Sequence, residues 1–289
     1  MPKLDTYQKI TDAILDRMDQ GEIPWRQPWS AEAGMPKNIR GTHYRGINVW
    51  ILSSLGYQSP TFLTYKQAQA QGGNVRKGER GAPVIFWKQI NVKDRETGDP
   101  KRVPLLRGYT VFNVSQCDGV EDPHKPGEDT RPTIDPIEVA EKITANYAGS
   151  PEINYGGGRA CYAPISDAVS MPARDSFESS EFFYSVPFHE LGHSTGHRSR
   201  LARDGVTNHA AFGRHEYARE ELVAEFTASY LCGAAGIEQR ETLENSAAYL
   251  QSWAGVLRRD PKALIAGAAQ AQRAADWIQG RRFEKGESI

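Results

Sequence analysis

Apolar residues recur along the chain with two distinct periods. Tyr7, Ile10, Ile14 and Met18 fall on one helical face, with Asp5 placed to cap the run and Gly21 to end it. A loop follows in which Trp25 and Trp29 each stand beside a proline. Residues 46–55 and the stretch TYKQAQAQ predict two short helices, the second stopped by Gly72 and Gly73. PVIFWKQINV and YTVFNVSQC are rich in β-branched and aromatic residues and predict strands, with Phe62, Phe86, Tyr109 and Phe112 facing inward. Later the helical period dominates, near 135–148, 179–195 (ended by Gly196), 216–235, 242–257 and 261–279. ACYAPISDAVSMP between them reads as two short paired strands. Residues 118–136 hold four prolines, two glycines and a cluster of acids without apolar periodicity, the composition of a linker. The pattern predicts an α+β chain of two domains: a small α+β domain over 1–117, a linker over 118–136, and a mainly helical domain with a short sheet over 137–289.

The chain has 289 residues, 39% apolar and 25% charged, which is ordinary for a soluble globular protein. The start, MPKLDTYQKI, lacks the apolar run of a signal peptide, and no stretch reaches the roughly 20 apolar residues of a membrane span, so a cytoplasmic protein without a membrane partner is expected. Cys117, Cys161 and Cys232 stand far apart, as reduced thiols do. The net charge of −1 hides a division: residues 1–115 carry 17 Lys and Arg against 10 Asp and Glu, while 116–289 carry 18 against 26. Such asymmetry predicts different partners for the two halves.

The second half contains FHELGHSTGH. His189 and His193 are four residues apart, so a helix projects both imidazoles from one face, where two neutral nitrogens can bind one zinc ion at roughly 2.0–2.1 Å. Glu190 is placed to reach a metal-bound water, the H-E-x-x-H pattern of zinc metallopeptidases. A third ligand is required. The metzincin position six residues after His193 is Ser199, which excludes that pattern, and Gly196 turns His197 aside. YAREELVAEF is the better source: Glu221 and Glu225 repeat the i, i+4 spacing beside the apolar Leu222, Val223 and Phe226. The order resembles the gluzincin arrangement, with Glu221 as ligand and Glu225 accepting the free N–H of a ligand histidine; exchanged roles are the alternative. Glu190 then serves as general base, and Tyr217 or His215 could steady the oxyanion, spacing alone not choosing between them. Two imidazoles and a carboxylate favour Zn2+, with Mn2+ or another divalent ion as the alternative.

The first half is basic and aromatic. Residues 66–107 hold ten Lys and Arg against four acids, and residues 1–115 hold four of the six tryptophans. Basic groups track phosphates, and exposed rings stack on unpaired bases. This makes Trp25, Trp29, Arg76, Lys77, Arg80, Trp87 and Lys88 candidates for contacting single-stranded DNA, against the plainer reading of core aromatics and a solvated basic hairpin.

Several strings resemble one family. PWRQPW, YRGINVWIL, FLTYKQAQAQGGNVRKGERG and YTVFNVSQC are similar to the N-terminal domain of ArdC-type antirestriction proteins of conjugative plasmids, a domain also found in TraC-type plasmid primases. CYAPISDAVSMP, HELGHSTGHRSRL and YAREELVAEF resemble the zincin-like metallopeptidase domain that accompanies it. The resemblance spans about 4 to 280 and implies an N-terminal single-stranded-DNA-binding domain. It also implies protection of incoming plasmid DNA from host restriction and a metal motif at His189, Glu190, His193 and Glu221. A host protein or peptide is the expected substrate if the domain is catalytic. A DNA-tethered protease acting on DNA-associated proteins and a binding module with a structural metal are the alternatives.

Overall fold

A computed structural model of the chain describes residues 4–25, 34–93, 99–125, 135–177, 179–207, 214–237 and 246–281. In chain order the elements are α1 (Leu4–Asp19), β1 (Lys37–Asn38), α2 (Ile47–Ser53), β2 (Thr61–Leu63), α3 (Tyr65–Ala70), β3 (Asn74–Val75), β4 (Ala82–Lys93), β5 (Pro100–Asn113) and β6 (Cys117–Asp118). The second half adds α4 (Pro136–Ala145), β7 (Glu152–Tyr155), β8 (Cys161–Ala163), β9 (Ala168–Met171), α5 (Ser180–Ser194), α6 (Asp204–Thr207), α7 (Arg214–Ala235), α8 (Ser246–Arg259) and α9 (Pro261–Ile278).

The first half is built on a four-stranded sheet in the order β1-β2-β5-β4. Its dominant unit is the long β4–β5 hairpin, in register from Ala82 opposite Val111 to Lys93 opposite Pro100. Phe62 joins the main core, while Leu63, the next residue along β2, joins Ala68 and Val114 in a small second cluster; successive strand residues face opposite sides. Thr64 caps α3 in a complete capping box with Gln67. The second half carries a three-stranded sheet, β7-β9-β8, which leaves β8 as an edge strand, and α5 lies against both β8 and β9.

The two halves share one hydrophobic core. Buried side chains run continuously from Ile10 and Ile14 of α1 through Trp25 and Trp50 to Phe226, Tyr230, Leu257 and Leu264. The Trp50 ring lies 4.3 Å from Phe226 and stacks on Tyr230 at 4.8 Å, and Trp25 meets Phe226 edge-on at 5.0 Å. Polar contacts cross the same boundary. The Ser229 hydroxyl donates to the Trp25 carbonyl, Arg45 pairs with Asp276, and the Gly46 amide donates to Gln272 Oε1 at 3.1 Å. Among the described residues the buried Trp25 Nε1, Trp50 Nε1 and Tyr230 Oη find no hydrogen-bond partner, so the packing of these rings offsets a desolvation cost.

Several expectations change here. Trp25, a candidate for base stacking, is 0% exposed, because its ring is an element of this shared core. Tyr109, expected inside, is 43% exposed although its edge meets Phe86. Asp5 falls inside α1 rather than capping it. The front of the expected linker is tied down: β6 pairs with β3, and Asp122 accepts from Ser59 Oγ at 2.6 Å and Thr61 Oγ1 at 2.8 Å. Positions 126–134 of that linker lie outside the described residues. Among the described residues no helix is long and apolar enough to cross a membrane.

A shared core predicts shared stability. The full chain should unfold in one calorimetric transition, and Trp50→Ala should lower its stability by about 3–5 kcal/mol. Tyr230→Phe removes a buried hydroxyl that no described residue pairs with and should be neutral or stabilising. Two separated transitions, with only the first moved by Trp50→Ala, would contradict the shared core.

Candidate functional site

Ser179 caps α5 by accepting from the Phe182 amide at 3.1 Å, and the helix then runs unbroken through the HELGH stretch to Ser194. One turn separates His189 from His193, and their rings lie 4.8 Å apart between centroids. The two Nε2 atoms face each other at 3.2 Å. Glu221, on α7, bridges them: its Oε2 is 3.5 Å from His189 Nε2 and its Oε1 is 3.5 Å from His193 Nε2. The ligand atoms of these three residues all lie within 4.8 Å of one another.

Gly192 is what lets α7 come this close. A Cβ there would sit 3.1 Å from both Ala224 Cα and Thr227 Cβ, so a larger side chain would push apart the two helices that bear the triad. The approach is thus encoded one residue before His193, and the opposite face of α7 is fixed by Phe226 and Tyr230 in the shared core.

The donor set suits a cation. Two nitrogens that each lie about 2.0–2.1 Å from a tetrahedral zinc are about 3.3 Å apart, close to the separation found here. The outward nitrogens of the same rings also face carboxylates. His189 Nδ1 lies 3.7 Å from Glu225 Oε2, and His193 Nδ1 lies 3.4 Å from Glu220 Oε1. Burial disfavours the imidazolium of His189, but hydrogen bonds to Glu221 and Glu225 outweigh it and push its pKa up to about 10. His193 is raised by Glu220 and Glu221 against the same burial. Burial would raise Glu221, yet the two histidines hold it well below the usual carboxylate range. The cluster therefore favours positive charge at its centre, and a metal ion reaching Nε2 must displace a proton.

Glu190 sits beside the triad. Its Oε2 accepts the backbone N–H of Tyr162 on β8 at 2.7 Å, which leaves the other carboxylate oxygen free of that bond. Glu190, the triad, Cys161, Tyr162 and Arg159 line a cavity of about 410 Å3. A larger cavity of about 720 Å3 lies beyond Glu220 and touches neither histidine; the smaller one holds the candidate chemistry.

His197 does not join the triad. Its Nδ1 is 2.8 Å from Ser199 Oγ and 3.8 Å from Asp167, toward the β8–β9 turn. That turn is bound to the end of α5 by the half-buried Arg200, which pairs with Asp167 and donates to the Ser194 carbonyl at 2.7 Å. Tyr217 and His215 belong to α7, which begins at Arg214 and so earlier than the apolar pattern indicates; their side chains lie outside the described residues.

Arg76, Lys77 and Arg80 are exposed in the β3–β4 connection. The Arg76 guanidinium is engaged by Glu79 at 2.9 Å, Asp118 at 3.5 Å and the Ser115 carbonyl at 2.6 Å, which makes it a brace for the loop. Trp29 lies outside the described residues. Trp87 and Lys88 are placed in β4, but their side chains lie outside them.

Two features escape sequence reasoning. Glu220, which stands in the charged run of Arg219 and Glu221, is buried against Arg203: Nε to Oε2 is 3.0 Å and Nη2 to Oε1 is 2.5 Å. Its position directly before Glu221 rotates it by about 100° on the helix, toward His193 Nδ1. The Tyr162 amide, as a backbone group on another element, leaves no residue-type signal.

Comparison with known proteins agrees with this architecture. Residues 4–112 match the model of the N-terminal domain of anti-restriction factor ArdC, and residues 138–270 match that of a zincin-like metallopeptidase. The uncharacterized protein y4eC of Sinorhizobium fredii (strain NBRC 101917 / NGR234) is 34% identical over 295 residues, covering 97% of this chain and 93% of that one. The DNA primase TraC of Escherichia coli is 35% identical over 296 residues, but the match spans only 27% of its length. The metal-free crystal structure of the antirestriction ArdC protein from plasmid R388 is 35% identical with a TM-score of 0.75, covering 96% of this chain and 99% of that one. Its Mn(II)-bound structure is 36% identical with a TM-score of 0.74, covering 95% and 97%. The chain belongs to the ArdC family of antirestriction proteins.

Proposed function

We propose that this chain is a plasmid antirestriction protein that binds single-stranded DNA through its basic N-terminal half. Its second half holds a divalent cation between His189, His193 and Glu221 and uses Glu190 to hydrolyse a peptide bond in a host protein. The observation that carries the metal reading is the 3.2 Å approach of two Nε2 atoms with one carboxylate facing both. Zinc is the first assignment, because two imidazoles and a carboxylate suit it; the Mn(II) bound by the plasmid R388 relative makes manganese the alternative.

When bound, the ion supplies Lewis acidity and lowers the pKa of a coordinated water towards roughly 7. The chain's own residues supply the rest. Tyr162 N–H fixes one oxygen of Glu190, so the other is oriented to take a proton from the attacking water and deliver it to the leaving amine. The edge strand β8 borders the same cavity and can pair with an extended peptide. Lys77 and Arg80, exposed on the basic loop, supply phosphate contacts.

Glu190→Ala should leave metal stoichiometry and the unfolding temperature unchanged while abolishing peptidase activity assayed with and without single-stranded DNA. Parental turnover in that variant would remove Glu190 from the mechanism. Restriction protection that survives in it would separate protection from proteolysis. Gly192→Val should weaken zinc binding at least tenfold in competition with a chelator, because the helices bearing the triad must separate; parental affinity would show that their approach is not needed. Single-stranded-DNA affinity of the full chain should fall steeply with salt, and the Lys77→Glu/Arg80→Glu pair should flatten that slope by roughly two units. Salt-independent binding would exclude a phosphate-tracking loop.

A further inference from the structure

We infer that Glu220, gripped by Arg203, is a positioning residue for His193, so that each histidine of the triad is oriented from behind by its own carboxylate. The inference rests on the metal reading above and concerns residues outside the triad. His193 Nδ1 is 3.4 Å from Glu220 Oε1, while His189 Nδ1 is 3.7 Å from Glu225 Oε2. A carboxylate at Nδ1 keeps the proton on that nitrogen and leaves the Nε2 lone pair for a cation.

Arg203 explains why Glu220 can do this from inside the protein. The two side chains are only 8% and 7% exposed, and the guanidinium holds the carboxylate through both Nε and Nη2. The same guanidinium donates to the Gly192 carbonyl at 2.9 Å and to Thr195 Oγ1 at 2.6 Å. Arg203 thus fastens Glu220 of α7 to the turn of α5 on which His193 sits. With both oxygens held, Glu220 is kept off the cation position, which is left to its neighbour Glu221.

The surrounding backbone is shaped for this pair. A Cβ on Gly205 would lie 3.0 Å from Glu220 Oε2, and one on Gly196 would lie 3.0 Å from Arg203 Nη2 and 2.4 Å from Val206 Cγ2. A purely structural ion pair would account for the burial but not for the carboxylate oxygen that faces a ligand ring.

The test is zinc titration of the full-length chain, metal-stripped and in competition with a chelator, beside thermal unfolding of the same metal-stripped samples. The Arg203→Met/Glu220→Leu pair removes both charges together, so neither is stranded, and its metal-free unfolding temperature should match or exceed the parent's. Its zinc dissociation constant should rise 10- to 100-fold. Should this pair fail to fold, Glu220→Gln carries the test, with a rise of about tenfold expected because an amide oxygen is a weaker acceptor. A folded variant with the parental dissociation constant would overturn the role of Glu220. A parent that binds neither zinc nor manganese would instead overturn the metal reading itself.

Discussion

The close approach of α5 and α7 is the constraint on which the site depends. Two imidazoles one turn apart make only half of the proposed metal site; the other half is a carboxylate on a helix that must pass within van der Waals contact of the first. Gly192 makes room for Ala224 and Thr227 at that crossing, and Arg203 ties the two helices together beside it. Remove that approach and His189, His193 and Glu221 become three separate polar residues, each partly buried and each costly to leave unpaired.

The same helix α7 joins the two halves of the protein. On one face it carries Glu220, Glu221 and Glu225 toward the histidines; further along it buries Phe226 and Tyr230 against Trp25 and Trp50 from the first half. The two family domains are therefore not independent bodies on a tether. Contacts of α1 with α8 and α9, and of α2 with α9, extend the same junction. Whatever binds the basic half acts on a structure continuous with the one that positions Glu221.

Periodicity made much of this legible. The i, i+4 histidines and glutamates, the helical runs and the long β4–β5 hairpin all follow from local pattern, because each depends on which face a residue takes within its own element. What escaped depends on contacts between distant segments. Trp25 sits in a proline-flanked loop whose composition suits a surface, and packing against distant residues such as Trp50 and Phe226 makes it core. Arg203 lies in a polar excursion and Glu220 in a charged run; their partnership joins two elements with no sequence period between them. The anchoring of Asp122 to Ser59 and Thr61 was hidden for the same reason, inside a stretch whose prolines and acids suggest an unstructured link.

The most direct test is anomalous diffraction at the zinc edge from crystals of the full-length chain grown with zinc. One peak should lie about 2.0–2.2 Å from His189 Nε2, His193 Nε2 and a Glu221 oxygen, with a further position open to water. A peak elsewhere, or none while those three side chains point apart, would contradict a metal centre built by the meeting of α5 and α7.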